Sequence, residues 1–291
     1  MDNKKKVIGI GEILWDLLPE GKQLGGAPTN FAYHAQQLGL QSSIISSVGT
    51  DDLGSEIIQS IRETGIVSFI DAIDKPTGTV TVELDDQGIP NYVIHEDVAW
   101  DFITPSEAAI EFARQSEAIC FGSLAQRAET SYYSIQEILD TVPEQALKVF
   151  DINLRQRYYN EDIISRSLDK ADVLKINDEE ILVFAEMFGI SGDEFEIMHQ
   201  ILEMYDLKVL ALTKGANGSW LISRDEDSYL DTPSVIVADT VGAGDSFTAG
   251  MVAGLIRKKP LKAIHRSAVD ISAFVCTQKG GTPELPPHLI S

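Results

Sequence analysis

What most constrains the fold of this chain is a rhythm: short runs of consecutive apolar residues take turns with stretches of helical spacing. "KVIGIG" (6–11), "SSIISSVG" (42–49), "AICFG" (118–122), "LKVFDIN" (147–153), "ADVLKIN" (171–177) and "LKVLALT" (207–213) read as strands buried on both faces. Between them "TNFAYHAQQLG" (29–39), "LGSEIIQSIRETG" (53–65), "PSEAAIEFARQ" (105–115), "SYYSIQEILD" (131–140) and "DEEILVFAEMFG" (178–189) carry the spacing of amphipathic helices, and several close on Gly. Such alternation predicts an α/β fold with a mainly parallel sheet covered on both faces. Ligands then lie beyond the carboxyl ends of the strands.

One region breaks the rhythm. "TGTVTVELDDQGIPNYVIHEDVAWDFI" (77–103) alternates with period two, turns at "DDQG" and alternates again, as a hairpin does. "ILWDLLPEGKQLGG" (13–26) also reads as extended. The expectation is a main domain built from 1–12, 28–76 and 104–291, with 13–27 and 77–103 forming a small β lid over the strand ends.

A formal net charge of −22 argues against a nucleic-acid partner, which would need a basic stripe. Cys120 and Cys276 stand far apart among apolar residues, giving neither a disulfide framework nor a metal-binding spacing. Glu12 and Asp16 interrupt the first apolar run too early for a signal peptide, and no window approaches a membrane span. A cytoplasmic protein is the expectation.

Two glycine-rich segments carry the chemistry. In "DTVGAGDSFTAG" (239–250), Gly242 and Gly244 allow a tight turn at the start of an apolar helix. The backbone amides of Gly242, Ala243 and Gly244 can then converge on an anion, with Asp245 at the same mouth. A carboxylate there can accept a proton from a hydroxyl attacking a held phosphoryl group, or it can simply cap the helix. In "LGGAPTNFAYHAQQLG" (24–39), Gly25 and Gly26 precede a helix with Asn30 in its first turn. Paired glycines let a polyol approach the backbone, and Asn30 offers it both a donor and an acceptor. Asp16, in "LWDLL", is either a surface residue or an acceptor for two neighbouring sugar hydroxyls.

The pair "GGAPTNFAYHAQQLG" and "DTVGAGDSF", in that order and about two hundred residues apart, resembles the two signatures of the ribokinase-like, or PfkB, sugar kinases. "GEILWDLLPEG", "FGSLAQR", "FDINLRQRYY" and "AWD" look most like fructokinases within it. The resemblance implies a three-layer α/β/α kinase domain with a β lid, using ATP and Mg²⁺ to phosphorylate a primary hydroxyl, with D-fructose as first choice of acceptor. It implies Asp245 as general base, an anion hole at 242–244, and sugar contacts from Asp16, Gly25, Gly26 and Asn30. Asn177 and Glu180 match an N-x-x-E element that organises Mg²⁺ through water. Thr213, Lys214, Gly215 and Gly218 match a segment that approaches the nucleotide.

Arg155 could reach the substrate or phosphates, or could be a structural ion-pair former. Trp100 is expected at the cleft rim, stacked on a sugar ring or anchoring the hairpin. The resemblance also implies Asp239 as a candidate K⁺ ligand, although Val241 supplies no hydroxyl beside it. Relatives that take 2-keto-3-deoxygluconate carry a Tyr/Arg pair late in the lid; by that resemblance Glu96 falls near the Arg position and would repel an acidic acceptor. Pentose kinases of the ribokinase type, a silent sugar or nucleotide sensor and, on "GIGEIL", a dinucleotide-binding oxidoreductase are further alternatives. Open lid edges make a homodimer through the lid an expectation.

Overall fold

The computed structural model describes residues 4–19, 21–84 and 90–290. The "DDQG" turn (85–88) lies outside them. In chain order the elements are β1 (Lys6–Ile10), β2 (Leu14–Leu18), β3 (Gly21–Gly25), α1 (Ala27–Gln37), β4 (Gln41–Gly49), α2 (Asp52–Thr64), β5 (Val67–Ile73), β6 (Thr79–Leu84) and β7 (Pro90–Ile94). Then follow α3 (Glu107–Ala113), β8 (Ala118–Phe121), α4 (Glu129–Thr141), β9 (Leu147–Asp151), α5 (Glu161–Leu168), β10 (Val173–Asn177), α6 (Asp178–Phe188) and α7 (Glu194–Met204). β11 (Val209–Thr213), β12 (Ser219–Ser223), β13 (Asp227–Leu230), α8 (Ala243–Ile256), α9 (Leu261–Cys276) and α10 (Pro287–Ile290) complete the chain.

The predicted α/β sheet is present. Nine strands run in the order β13-β12-β11-β10-β9-β8-β1-β4-β5, parallel except for the antiparallel pairings of β12 and β13. Strand residues alternate between two apolar layers. Ile119, Phe121, Phe150, Leu174 and Leu210 pack with residues of α3, α4, α6 and α7, whereas Ala118, Cys120, Val149, Val173 and Val209 pack with α1, α8 and α9.

After β1 the chain builds outward through β4 and β5, then returns to β8 on the other flank and continues to β11. β1 is therefore the strand at which the winding direction reverses, and its carboxyl end opens a crevice. Everything that follows β1 immediately, from Gly11 onward, is carried to that opening.

The second sheet has four strands in the order β3-β2-β6-β7, so the two expected pieces of chain do join. β2 pairs antiparallel with β3 and parallel with β6, which pairs antiparallel with β7. Its strands end at Ile94. Residues beyond, including a short helical turn at Ala99–Phe102, pack into the main core instead of extending the sheet.

Candidate active site

At the carboxyl ends of the strands lies a cavity of ≈ 470 Å³ whose walls include Asp16, Gly25, Gly26, Asn30, Arg155, Asn177, Glu180, Gly242, Gly244 and Asp245. One wall is the start of α1. Gly26 is its N-cap at φ 112°, and a Cβ there would sit 2.3 Å from the Glu12 carbonyl oxygen, so both conformation and space require glycine. A Cβ on Gly25 would meet Asp16 Oδ2 at 2.5 Å, which is how closely that carboxylate approaches the backbone. Asn30, one turn along, is buried and donates through Nδ2 to Asp245 Oδ2 at 2.8 Å. That bond joins the two glycine-rich segments.

The opposite wall is the start of α8. Gly242 caps it in the left-handed region at φ 73°, pressed against Gly281 so closely that a Cβ would lie 2.5 Å from its Cα. No side chain caps this helix. The Ala243 N–H makes a long 3.3 Å bond to the Thr240 carbonyl, while no acceptor among the described residues takes the Gly244 N–H. Uncapped amides at a helix start carry roughly half a unit of positive charge, which suits them chemically to an anion.

Burial, and next the charge of Asp151, push the Asp245 carboxyl up to about 6, against the opposing pull of the Asn30 bond, Lys175 and Arg155. Asp16 is likewise raised to about 6 by burial. Two further charged groups belong to the site that sequence reasoning did not assign to it. Lys175, a buried ammonium on β10, pairs with Asp151 at 3.1 Å, and its Nζ would lie 3.0 Å from a Cβ on Gly244. The Thr248 hydroxyl donates to the other Asp151 oxygen at 2.9 Å. Glu12, directly after β1, is 2% exposed and its carboxyl is pushed up to about 7, chiefly by burial. Lys175 had a signal: a lysine inside the apolar run "ADVLKIN" must find a buried partner.

An adjoining cavity of ≈ 570 Å³ shares Thr213, Thr240 and Gly244 with the first. Its lining includes Lys214, Gly215 and Gly218 on one side and Val269, Ala273 and Cys276 of α9 on the other, so the residues matched to nucleotide binding are together. The Lys214 ammonium, however, is held by Glu194 at 2.8 Å.

Asn177 and Glu180 form a capping box at the start of α6: Asn177 Oδ1 accepts from the Glu179 and Glu180 N–H groups, and Glu180 Oε2 accepts from Asn177 N–H. Glu180 Oε1 accepts from Leu154 N–H at 3.0 Å. Both residues line the cavity with their oxygens already engaged by backbone, which suits contact with a metal through water better than direct ligation. Among the described residues no cluster of three or more His, Cys, Asp or Glu could hold a metal. Asp239 joins two loops, accepting from Val241 N–H at 3.1 Å and Gly280 N–H at 3.0 Å.

Two expectations are corrected. Trp100 is not on the rim; it is fully buried in the core with the Arg127 guanidinium 3.9 Å above its ring, so its ring offers no free face to a sugar. The apolar residues that follow β7 turn inward, and the indole goes with them. Glu96 is not in the acceptor cavity either. It is exposed and accepts from Arg157 and the Tyr158 hydroxyl, both at 2.9 Å, so it has no bearing on the charge of the acceptor.

The model of the "pfkB family carbohydrate kinase" matches residues 20–287. A fructokinase from Salmonella typhimurium is 29% identical, covering 97% of this chain and 96% of its own. The structure of a fructokinase from Xylella fastidiosa with bound ATP superposes with a TM-score of 0.84 at 21% identity, covering 97% of this chain and 95% of that one. A 2-dehydro-3-deoxygluconokinase from Thermotoga maritima gives 0.83 at 20% identity, covering 99% and 97%. Among the described residues no helix is long and apolar enough to cross a membrane.

Proposed function

This chain belongs to the pfkB family of carbohydrate kinases, and we propose that it moves the γ-phosphoryl group of ATP onto a primary hydroxyl of D-fructose, giving fructose 6-phosphate. That it is a phosphotransferase follows from the family. The observation that carries it is the 2.8 Å bond between Asn30 and Asp245, because it sets an acceptor-facing carboxylate beside uncapped amides in one cavity.

In this reading the larger, more apolar cavity takes the nucleotide, with Thr213, Lys214, Gly215 and Gly218 along it. Phosphate charge rests on the amides of 242–244, the term on which a loose phosphoryl-transfer transition state depends most. Asp16, Gly25, Gly26 and Asn30 hold the acceptor's hydroxyls, with Arg155 at the margin. Asp245 takes the proton of the attacking hydroxyl. Asn177 and Glu180 would reach Mg²⁺ through water, and the metal when bound supplies charge neutralisation on the phosphates. Asp239 is the side chain offered to K⁺. The β7 carbonyls of Tyr92 and Ile94 accept from Gln156 and Tyr158, which leaves the β3 edge to a proposed second copy.

Four carboxyls, Glu12, Asp16, Glu180 and Asp245, line the acceptor cavity, and such a lining favours a neutral polyol over an anion. The Salmonella relative's name supports a ketose acceptor. A second reading rests on Arg155, whose exposed guanidinium in the same cavity would suit a carboxylate such as that of 2-keto-3-deoxygluconate. A panel of sugars and sugar acids with Mg-ATP separates the two. Fructose is expected to release ADP at least tenfold faster than any acidic acceptor at equal concentration, with phosphorus NMR placing the phosphate on C6; a preference for the acid would overturn the assignment.

A further inference from the structure

Glu12 sits where the fold reverses its winding direction, at the carboxyl end of β1, and faces the acceptor cavity. Its Oε1 accepts the Ala27 N–H at 3.3 Å, so half of the carboxyl substitutes for the side-chain cap that α1 lacks at Gly26. A cap needs one oxygen. The other, Oε2, is buried with no hydrogen-bond partner among the described residues. An orphaned buried acceptor typically costs about 1–3 kcal/mol, so a purely structural role explains only half the group. The same cavity holds a second buried orphan acceptor, Asn30 Oδ1, whose amide nitrogen is fixed toward Asp245. The Glu12 backbone N–H also acts on its own carboxyl, and the charges that act on it most are Asp245 and Arg155. Two acceptors waiting in one cavity call for a ligand that brings two donors.

Resting on the sugar-kinase reading above, we infer that Glu12 is a specificity-determining residue that accepts a hydrogen bond from one hydroxyl of the acceptor through Oε2. It acts in binding and takes no proton from the reacting oxygen. The step belongs to Asp245, which stands next to the anion site; Glu12 selects molecules with a hydroxyl in the right place and rejects those without it. A site built around a buried acceptor discriminates strongly against an analogue lacking the donor, because the protein group is then left unpaired.

The test pairs Glu12→Gln with singly deoxygenated fructoses. Glutamine keeps the shape and can still accept from Ala27 N–H, but it turns a donor toward a position that now receives one. The sugar KM is expected to rise about 10–100-fold with kcat within about threefold and the ATP KM unchanged. One deoxy sugar should be a poor substrate for the wild type yet lose no further when presented to Glu12→Gln, while the other deoxy sugars lose as much with the variant as fructose does. Melting temperature at pH 8 should equal or exceed wild type, since a buried acid has been removed, which separates the effect from misfolding. An unchanged sugar KM, or an equal loss with every deoxy sugar, overturns the assignment. Wild-type enzyme that phosphorylates no sugar would instead overturn the proposed function, an outcome distinct from either.

Discussion

The starts of α1 and α8 invite comparison. α2, α3, α5, α6 and α7 are each closed by a side chain: Asp51, Ser106, Asn160, Asn177 and Asp193. α1 and α8 begin instead on bare glycines, Gly26 and Gly242, and both open onto the same cleft. Uncapped starts also occur at α4 and α9, on Ala128 and Pro260, so the absence of a cap is not itself a signature. What differs is how the free donors are treated. At α1 a carboxylate from elsewhere, Glu12, has been brought to the first amide, and the wall faces the cavity with acids and an amide. At α8 the Gly244 amide stays open, and a lysine ammonium waits behind it. In the proposed function one start meets hydroxyls and the other meets an anion.

The contrast can be broken most forcefully at Asp245, the residue both walls share. Asp245→Asn is expected to lower kcat by about 10³-fold, within the range for losing a general base, with both dissociation constants within about threefold of wild type by calorimetry. Loss of binding instead of turnover would move Asp245 into the binding machinery.

Smaller effects should divide the two walls. Gly25→Ala pushes on the Asp16 carboxylate and is expected to raise the sugar KM about tenfold while sparing the ATP KM. Gly242→Ala disturbs a left-handed turn held against Gly281 and should lower kcat by about tenfold or more with sugar binding intact. If each variant affected both substrates alike, the division of labour would be wrong.

The smallest effect is on stability, and its sign is definite. Asp245 is raised to about 6 in the fold from an ordinary 3.8, so the folded state binds more protons than the unfolded chain across that interval. The ionised form therefore weakens the fold, and this penalty grows as pH rises from about 4 to above 6. Asp245→Asn should melt a few degrees above wild type at pH 8, with the advantage fading by pH 4.5 in thermal melts. The same titration implies that wild-type kcat/KM climbs with pH through about 6, read from initial rates across pH 5 to 8.

Much of this was legible in the sequence. The strand runs were found because they are buried on both faces and read as continuous apolar segments. The two glycine turns were found because glycine is required in both, by a φ of 112° at Gly26 and by the close approach of Gly281 at Gly242. Less visible was anything defined by distant partners. Asn30 and Asp245 are 215 residues apart, and nothing local predicts their bond. Glu12 was noticed only as a polar interruption, since its placement depends on where the sheet changes direction. Trp100 was misread because an aromatic in an alternating stretch gives no sign of which way the chain turns next. β5 escaped because, as an edge strand half exposed to solvent, it lacks the continuous apolar run of the central strands.

The most direct measurement is a crystal structure of the enzyme with fructose and a non-hydrolysable ATP analogue. The account predicts the terminal phosphate within about 3 Å of the Gly244 N–H and a primary hydroxyl at similar distance from the Asp245 carboxylate. A terminal phosphate lying away from the start of α8, or a sugar whose primary hydroxyl faces some other group, would contradict it.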